Sequence, residues 1–219
     1  MASIVDELVA AGRRLQAAGL VVGTSGNLSA RDPDQPERFW ISPMAMDIGD
    51  LHPDDLVAVD EATGMVVGGR RRPSSETALH RRLYRDRTDI RAVVHTHSLY
   101  ATMFAVAGEP IPPVHYAIAD LGDRIPVVPY APFGSEALAD GAAAHLASGG
   151  GAVLLQNHGV VAVGTSLREA LRRAELVEWL ARLALGARLA GTPRLLAPAE
   201  LDDVRRRLAD YRQPPPADS

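Results

Sequence analysis

The stretch Ala92-Val93-Val94-His95-Thr96-His97-Ser98 (AVVHTHS) decides how this chain is read. Its three leading apolar residues have the character of a buried strand. Side chains two apart on a strand project from one face, so the imidazoles of His95 and His97 can converge on one point. Two neutral imidazoles sharing a point suit a divalent metal, most often zinc. A second apolar run, LLQNHGVVAVG, breaks at Asn157-His158-Gly159 and offers a third imidazole. Three histidine ligands leave zinc an open position for substrate, the pattern of catalytic rather than structural sites. Taken singly, each histidine is more simply a satisfied core or turn residue. His158 stays open until another observation ties it to the pair.

Composition narrows the chemistry. The chain has 219 residues, 47% of them hydrophobic, which suits one domain with a substantial core. Its amino-terminal MASIVDELVAAGRR reads as an amphipathic helix rather than a signal peptide, and no long uncharged apolar run offers a membrane span. A soluble cytoplasmic protein is the expectation. A net charge of −4 provides no electrostatic footprint for nucleic acid, and Arg70-Arg71-Arg72 reads as a solvated turn. There is no cysteine, which removes disulfides, thiolate-bound zinc and thiol nucleophiles. There is no lysine either, since all 23 basic side chains are arginine. Schiff-base chemistry is thereby excluded, and carbonyl chemistry here needs another electron sink, for which a Lewis-acidic metal is the natural replacement.

Along the chain, Ser3 and Asp6 predict a capping box opening a helix over about 4–18, ended by Gly19. GLVVGTSGNLSARD predicts a short strand, a glycine-rich turn and a second strand. Residues 38–69 predict two or three strands with turns at Pro43, Pro53-Asp54 and Thr63-Gly64. Ser74 or Ser75 is expected to cap a helix carrying Leu79, Leu83 and Tyr84 on one face. A helix stopped by Gly108 follows the His-x-His strand, then a proline-rich stretch over 109–134, a helix over SEALADGAAAHLAS, and a strand-turn-strand unit around His158. Ser166 with Glu169 predicts a second capping box, for a long helix reaching about Gly191, and a last helix covers 198–211. Short strands alternating with helices point to a layered α/β or α+β domain. Neither a P-loop nor a G-x-G-x-x-G fingerprint is present, which argues against a nucleotide cofactor.

Other residues extend the metal hypothesis. Glu76, in PSSETALH, opens the helix that runs into the His-x-His strand, and its carboxylate could serve as a fourth ligand or a general base. By itself it is more simply a first-turn acid favoured by the helix macrodipole. Ser74 and Ser75 bring hydroxyls and free N–H groups to the same helix start, where an anion is favoured. Gly23-Thr24-Ser25-Gly26-Asn27 can cradle phosphate, although most such stretches are merely turns. His115 and Tyr116 occupy a proline-bounded loop, a common location for a proton donor.

In chain order these segments read GTSGNLS, ISPMAMD, SSE, HTHS, HY followed by PYAPFG, and QNHG. That order and spacing resembles the class II aldolase/adducin family, most closely its L-fuculose-1-phosphate aldolase branch, from the first helix to Tyr211. The resemblance implies an α/β fold: one layered domain over 1–211, with a central, mostly antiparallel sheet flanked by helices, and a flexible tail over 212–219. It implies that His95, His97 and His158 bind Zn2+, or Mn2+ or Fe2+ in its place. Glu76 would ligate the metal until substrate arrives and then act as acid/base. Thr24, Gly26, Asn27, Ser74 and Ser75 match the positions that hold a sugar phosphate. Tyr116 matches a proton donor serving the neighbouring subunit's site, and Tyr211 a carboxy-terminal tyrosine near the substrate. A homotetramer with sites at subunit interfaces follows, as does cleavage of a ketose 1-phosphate to dihydroxyacetone phosphate and an aldehyde. The same chemistry supports 4-epimerisation of pentulose phosphates and decarboxylation of sugar or aromatic acids. The family also contains adducin-like scaffolds without metal ligands. One departure is Ser42-Pro43-Met44-Ala45, where the family usually carries Ser/Thr-Pro-Ser/Thr-Gly. Ala45 is expected to keep its N–H available if its φ is negative, while Met44 adds apolar bulk.

Overall fold

Ser3 Oγ accepts from the Asp6 N–H at 3.2 Å, and the Asp6 carboxylate accepts from the Ser3 N–H at 3.3 Å, so the expected capping box opens α1 (Ile4–Ala17). The computed structural model describes residues 3–211, with the backbone alone of Tyr211, so the 212–219 tail lies outside the described residues. The strands are β1 (Asn27–Arg31), β2 (Arg38–Ile41), β3 (Val57–Asp60), β4 (Val66–Gly68), β5 (Ala92–Thr96), β6 (Val127–Val128), β7 (Ala152–Leu155) and β8 (Gly159–Gly164). They form one eight-stranded sheet in the order β4-β3-β2-β1-β5-β8-β7-β6. Every pairing is antiparallel except β6 with β7.

Helices cover both faces of this sheet. α1, α3 (Leu99–Ala107) and α5 (Leu167–Ala190) share one apolar cluster with Leu28, Ala92, Val94, Val160 and Ala162. α2 (Thr77–Asp86) and α4 (Glu136–Leu146) share the other with Phe39, Val93, Val153, Val161 and Val163. A strand covered on both faces has no polar side to show, which is why Ala92–Val94 of β5 and the whole of β8 read as apolar runs. Each fully buried Val or Leu contributes about 1.5–3 kcal/mol. In α5, Ala170, Ala174, Ala181 and Ala184 are fully buried, so the helix lies close to the sheet. The last helix, α6 (Pro198–Tyr211), packs on the short 3-10 turn Tyr116–Asp120.

Three local expectations change. Residues 20–22 form no strand: Leu20 is buried and its carbonyl accepts from the His97 N–H at 3.2 Å, but Val22 is exposed and Gly23 turns the chain away at φ +56°. The cap of α2 is Glu76, not Ser74 or Ser75; Ser74 Oγ instead accepts from the Glu76 N–H at 3.2 Å. At α5, Ser166 Oγ accepts from the Glu169 N–H as expected. The Glu169 carboxylate, however, takes the N–H and hydroxyl of Thr165, at 2.7 and 2.8 Å, so the box closes one residue early.

Candidate active site

The end of β5 meets the β7–β8 turn and the start of α2. β5 pairs with β8 so that His95 lies opposite Val161, which puts His158 in the turn just beyond the ladder. Asn157 supports that turn with a left-handed backbone, φ +54°. The outcome is that His158 joins the pair. One ring nitrogen from each of His95, His97 and His158 lies within 4.8 Å of the others, and all three ring planes meet nearly edge-on.

Glu76 completes the cluster. Its Oε2 lies 3.0 Å from His95 Nε2 and its Oε1 3.4 Å from His158 Nε2. Placement at the N-cap, rather than inside the first turn, turns the carboxylate away from the helix axis and toward the imidazoles. Asn27 Nδ2 donates to Oε2 at 2.8 Å, from the first residue of β1. Gly26 precedes it at φ +81°, and a Cβ there would sit 2.8 Å from the His95 carbonyl oxygen.

The donor set suits a divalent cation. His95 Nδ1 donates to the Val160 carbonyl at 2.8 Å, which leaves Nε2 as the nitrogen on which a proton or a cation would sit. That nitrogen faces both Glu76 Oε2 and His97 Nε2, each at 3.0 Å. Glu76 Oε1 is buried without a hydrogen-bond partner. Lone pairs and a carboxylate gathered about one point call for a positive charge between them, and three imidazoles with a carboxylate suit Zn, Fe or Mn. Burial and the neighbouring His95 push His97 down to about 3 and His158 down to about 4, so both rings are neutral and able to ligate. Burial works against the Glu76 anion, but His95, His158 and the Asn27 amide hold its carboxyl below the usual range. His95 moves the other way: burial is outweighed by Glu76, and its pKa is raised.

A cleft of about 330 Å³ opens onto this cluster. Thr24, Gly26, Asn27, Ser74, Ser75, Glu76, His97 and His158 line it, while His95 lies buried beneath. Tyr116 is elsewhere in the chain: it is exposed, stacks on His115 at 4.3 Å between ring centroids, and borders a separate groove with Asp120 and Arg172. The Tyr211 side chain lies outside the described residues. Sequence reasoning passed over Tyr130 and Phe133, which form an exposed aromatic wall of the cleft. Their sequence signal is the PYAPFG motif, residues 129–134. Ala45 also departs from expectation. Its φ is +56°, not negative, so alanine here keeps the backbone of a glycine position. Beside it Met44 lines the cleft, as its bulk suggests.

A two-sided α/β/α sandwich carrying three imidazoles and a carboxylate at the end of its central strand could hold a divalent cation beside an acid/base group. The family model "Class II Aldolase and Adducin N-terminal domain" matches residues 6–185, and the chain belongs to that family, as a class II aldolase. It is 36% identical over 208 residues to a 5-deoxy-D-ribulose 1-phosphate aldolase of Bacillus thuringiensis serovar kurstaki, covering 95% of this chain and 96% of that one. A 5-methylthioribulose-1-phosphate/5-deoxyribulose-1-phosphate aldolase of Rhodospirillum rubrum is 36% identical over 205 residues, with 93% and 90% covered. Among solved structures, an L-fuculose 1-phosphate aldolase superposes with a TM-score of 0.90 at 37% identity, covering 95% of this chain and 98% of that one.

Proposed function

We propose that this chain is a zinc-dependent aldolase cleaving a ketose 1-phosphate, L-fuculose 1-phosphate or a related deoxypentulose phosphate, to dihydroxyacetone phosphate and an aldehyde. The observation that carries the reading is the Glu76 carboxylate, 3.0 and 3.4 Å from two imidazoles at the floor of a hydroxyl-lined cleft. The names of these three relatives, each an aldolase of a ketose 1-phosphate, support the substrate class.

His95, His97 and His158 would hold the cation, which supplies Lewis acidity for the negative charge released when the C3–C4 bond breaks. Thr24, Gly26, Asn27, Ser74 and Ser75 seat the phosphate through hydroxyls and N–H groups. Glu76 accepts the proton of the C4 hydroxyl, the C3–C4 electron pair stays with the three-carbon fragment, and a proton returned by Glu76 or water restores C3. In the synthetic direction Tyr116 of a neighbouring subunit protonates the nascent alkoxide, with Tyr211 close by. Such sharing places the sites at the interfaces of a homotetramer, and the setting is cytoplasmic.

The test is to offer fuculose 1-phosphate, ribulose 1-phosphate and 5-deoxyribulose 1-phosphate to metal-loaded protein and follow dihydroxyacetone phosphate. Release from at least one supports the reading, and none from all three removes it. Met44, part-exposed in the cleft where a polar group is expected, favours one second reading: a decarboxylase of an unphosphorylated sugar or aromatic acid, read out as carbon dioxide release.

A further inference from the structure

Behind Glu76 runs a line of buried polar side chains, Asn27, His80, Ser29 and Tyr84. α2 places Glu76, His80 and Tyr84 one turn apart on one face, and β1 places Asn27 and Ser29 two apart on the face opposite. His80 Nε2 lies 2.6 Å from Asn27 Oδ1, His80 Nδ1 lies 2.6 Å from Ser29 Oγ, and Ser29 Oγ lies 2.6 Å from Tyr84 OH. Ser29, His80 and Tyr84 are wholly buried.

The direction of every bond follows from one end. A carboxylate only accepts, so the Asn27 NH2 group faces Glu76 and its oxygen faces His80. His80 must then carry its proton on Nε2 and accept at Nδ1. Ser29 consequently donates to His80 and accepts from Tyr84. All the donors point one way, toward Glu76 Oε2. Burial pushes the His80 imidazolium down to about 3, in keeping with a neutral ring that has one donor and one acceptor.

We propose that Tyr84, Ser29 and His80 are positioning residues that lock the Asn27 amide in one orientation and so occupy Glu76 Oε2, leaving Oε1 as the oxygen that takes the proton. Oε1 is the carboxylate atom that is buried without a hydrogen-bond donor, which is the condition a receiving oxygen needs. An Asn27 amide free to flip would present its own oxygen to Glu76, and two acceptors in contact would drive the carboxylate out of place.

The proposal rests on the acid/base reading of Glu76, so the test separates the two. Two-bond 1H–15N NMR of histidine-labelled, metal-loaded protein between pH 6 and 8 reads the tautomer directly. The expected result is a protonated Nε2 and a bare Nδ1 for His80; a protonated Nδ1, or a doubly protonated ring, overturns the array. In kinetics, His80→Met is expected to lower kcat by roughly 10- to 100-fold with KM and bound metal near wild type, as misplacing a reacting group does. His80→Gln, which keeps a donor toward Asn27, recovers part of that loss. Tyr84→Phe, which removes the hydroxyl that donates to Ser29, is expected to lower kcat less than His80→Met does, and an unchanged kcat removes Tyr84 from the array. A folded His80→Met variant with kcat within about twofold of wild type overturns the positioning role. Full activity in Glu76→Gln removes the acid/base reading while leaving the tautomer result standing.

Discussion

Gly159 meets Thr96 so closely that a Cβ on the glycine would sit 2.4 Å from the threonine carbonyl oxygen. The same Cβ would fall 3.1 Å from His97 Cδ2 and 3.3 Å from His95 Cε1, so the first residue of β8 is bare because two imidazoles and the Thr96 backbone of the neighbouring strand fill the space. Gly159→Ala must therefore push β8 or the rings aside. The expected outcome is a loss of about 1–3 kcal/mol in stability and at least tenfold weaker metal binding, read by melting and by competition with a chelator. Wild-type metal affinity in this variant would show that the rings do not depend on the close approach.

Glu76→Gln keeps the shape of the side chain but removes its basicity and its charge. Turnover should drop by about 10²–10⁴ with the fold intact, measured by initial rates on metal-loaded protein.

Tyr116 borders a groove away from its own chain's cleft, as a residue lent to a neighbour must. A Tyr116→Phe chain and a Glu76→Gln chain, each impaired alone, should complement when refolded together, because mixed oligomers regain some intact sites. Activity no higher than the sum of the separate variants would place the tyrosine outside the reaction.

Ala45 holds a left-handed backbone that costs an L-residue roughly 1–2 kcal/mol. Ala45→Gly should relieve part of that cost and raise stability by up to about 1 kcal/mol, once the greater freedom of glycine in the unfolded chain is subtracted. Chemical denaturation reads the change, and KM on the preferred substrate reports whether the cleft is altered.

Acid should weaken the fold through His80. Burial is the main cause of its low pKa, opposed by Glu76 and reinforced by His95. The unfolded imidazole takes up a proton as pH falls below its ordinary 6.5, while the folded one resists until about 3. Stability is therefore complete above pH 6.5 and declines as pH falls through that window. Melts of wild type and His80→Gln across the window should diverge, with the variant less pH-sensitive.

Local pattern alone was enough for much of this molecule. The capping residues of α1, the αL glycine that stops α3 at Gly108, the apolar runs of β5 and β8, and the pairing of His95 with His97 all depend on neighbours in sequence. Periodicity of 2 or 3.6 reports them directly. The absence of lysine and cysteine excludes whole chemistries from composition alone. What needed the tertiary structure were relations between elements far apart along the chain. The arrival of His158 beside His95 depends on the register of β8 against β5. The choice of Glu76 as both helix cap and histidine partner depends on where α2 starts in space. The donor line from Tyr84 to Glu76 exists because a helix face and a strand face, each unremarkable alone, are pressed into direct contact, and buried polar atoms must then satisfy one another.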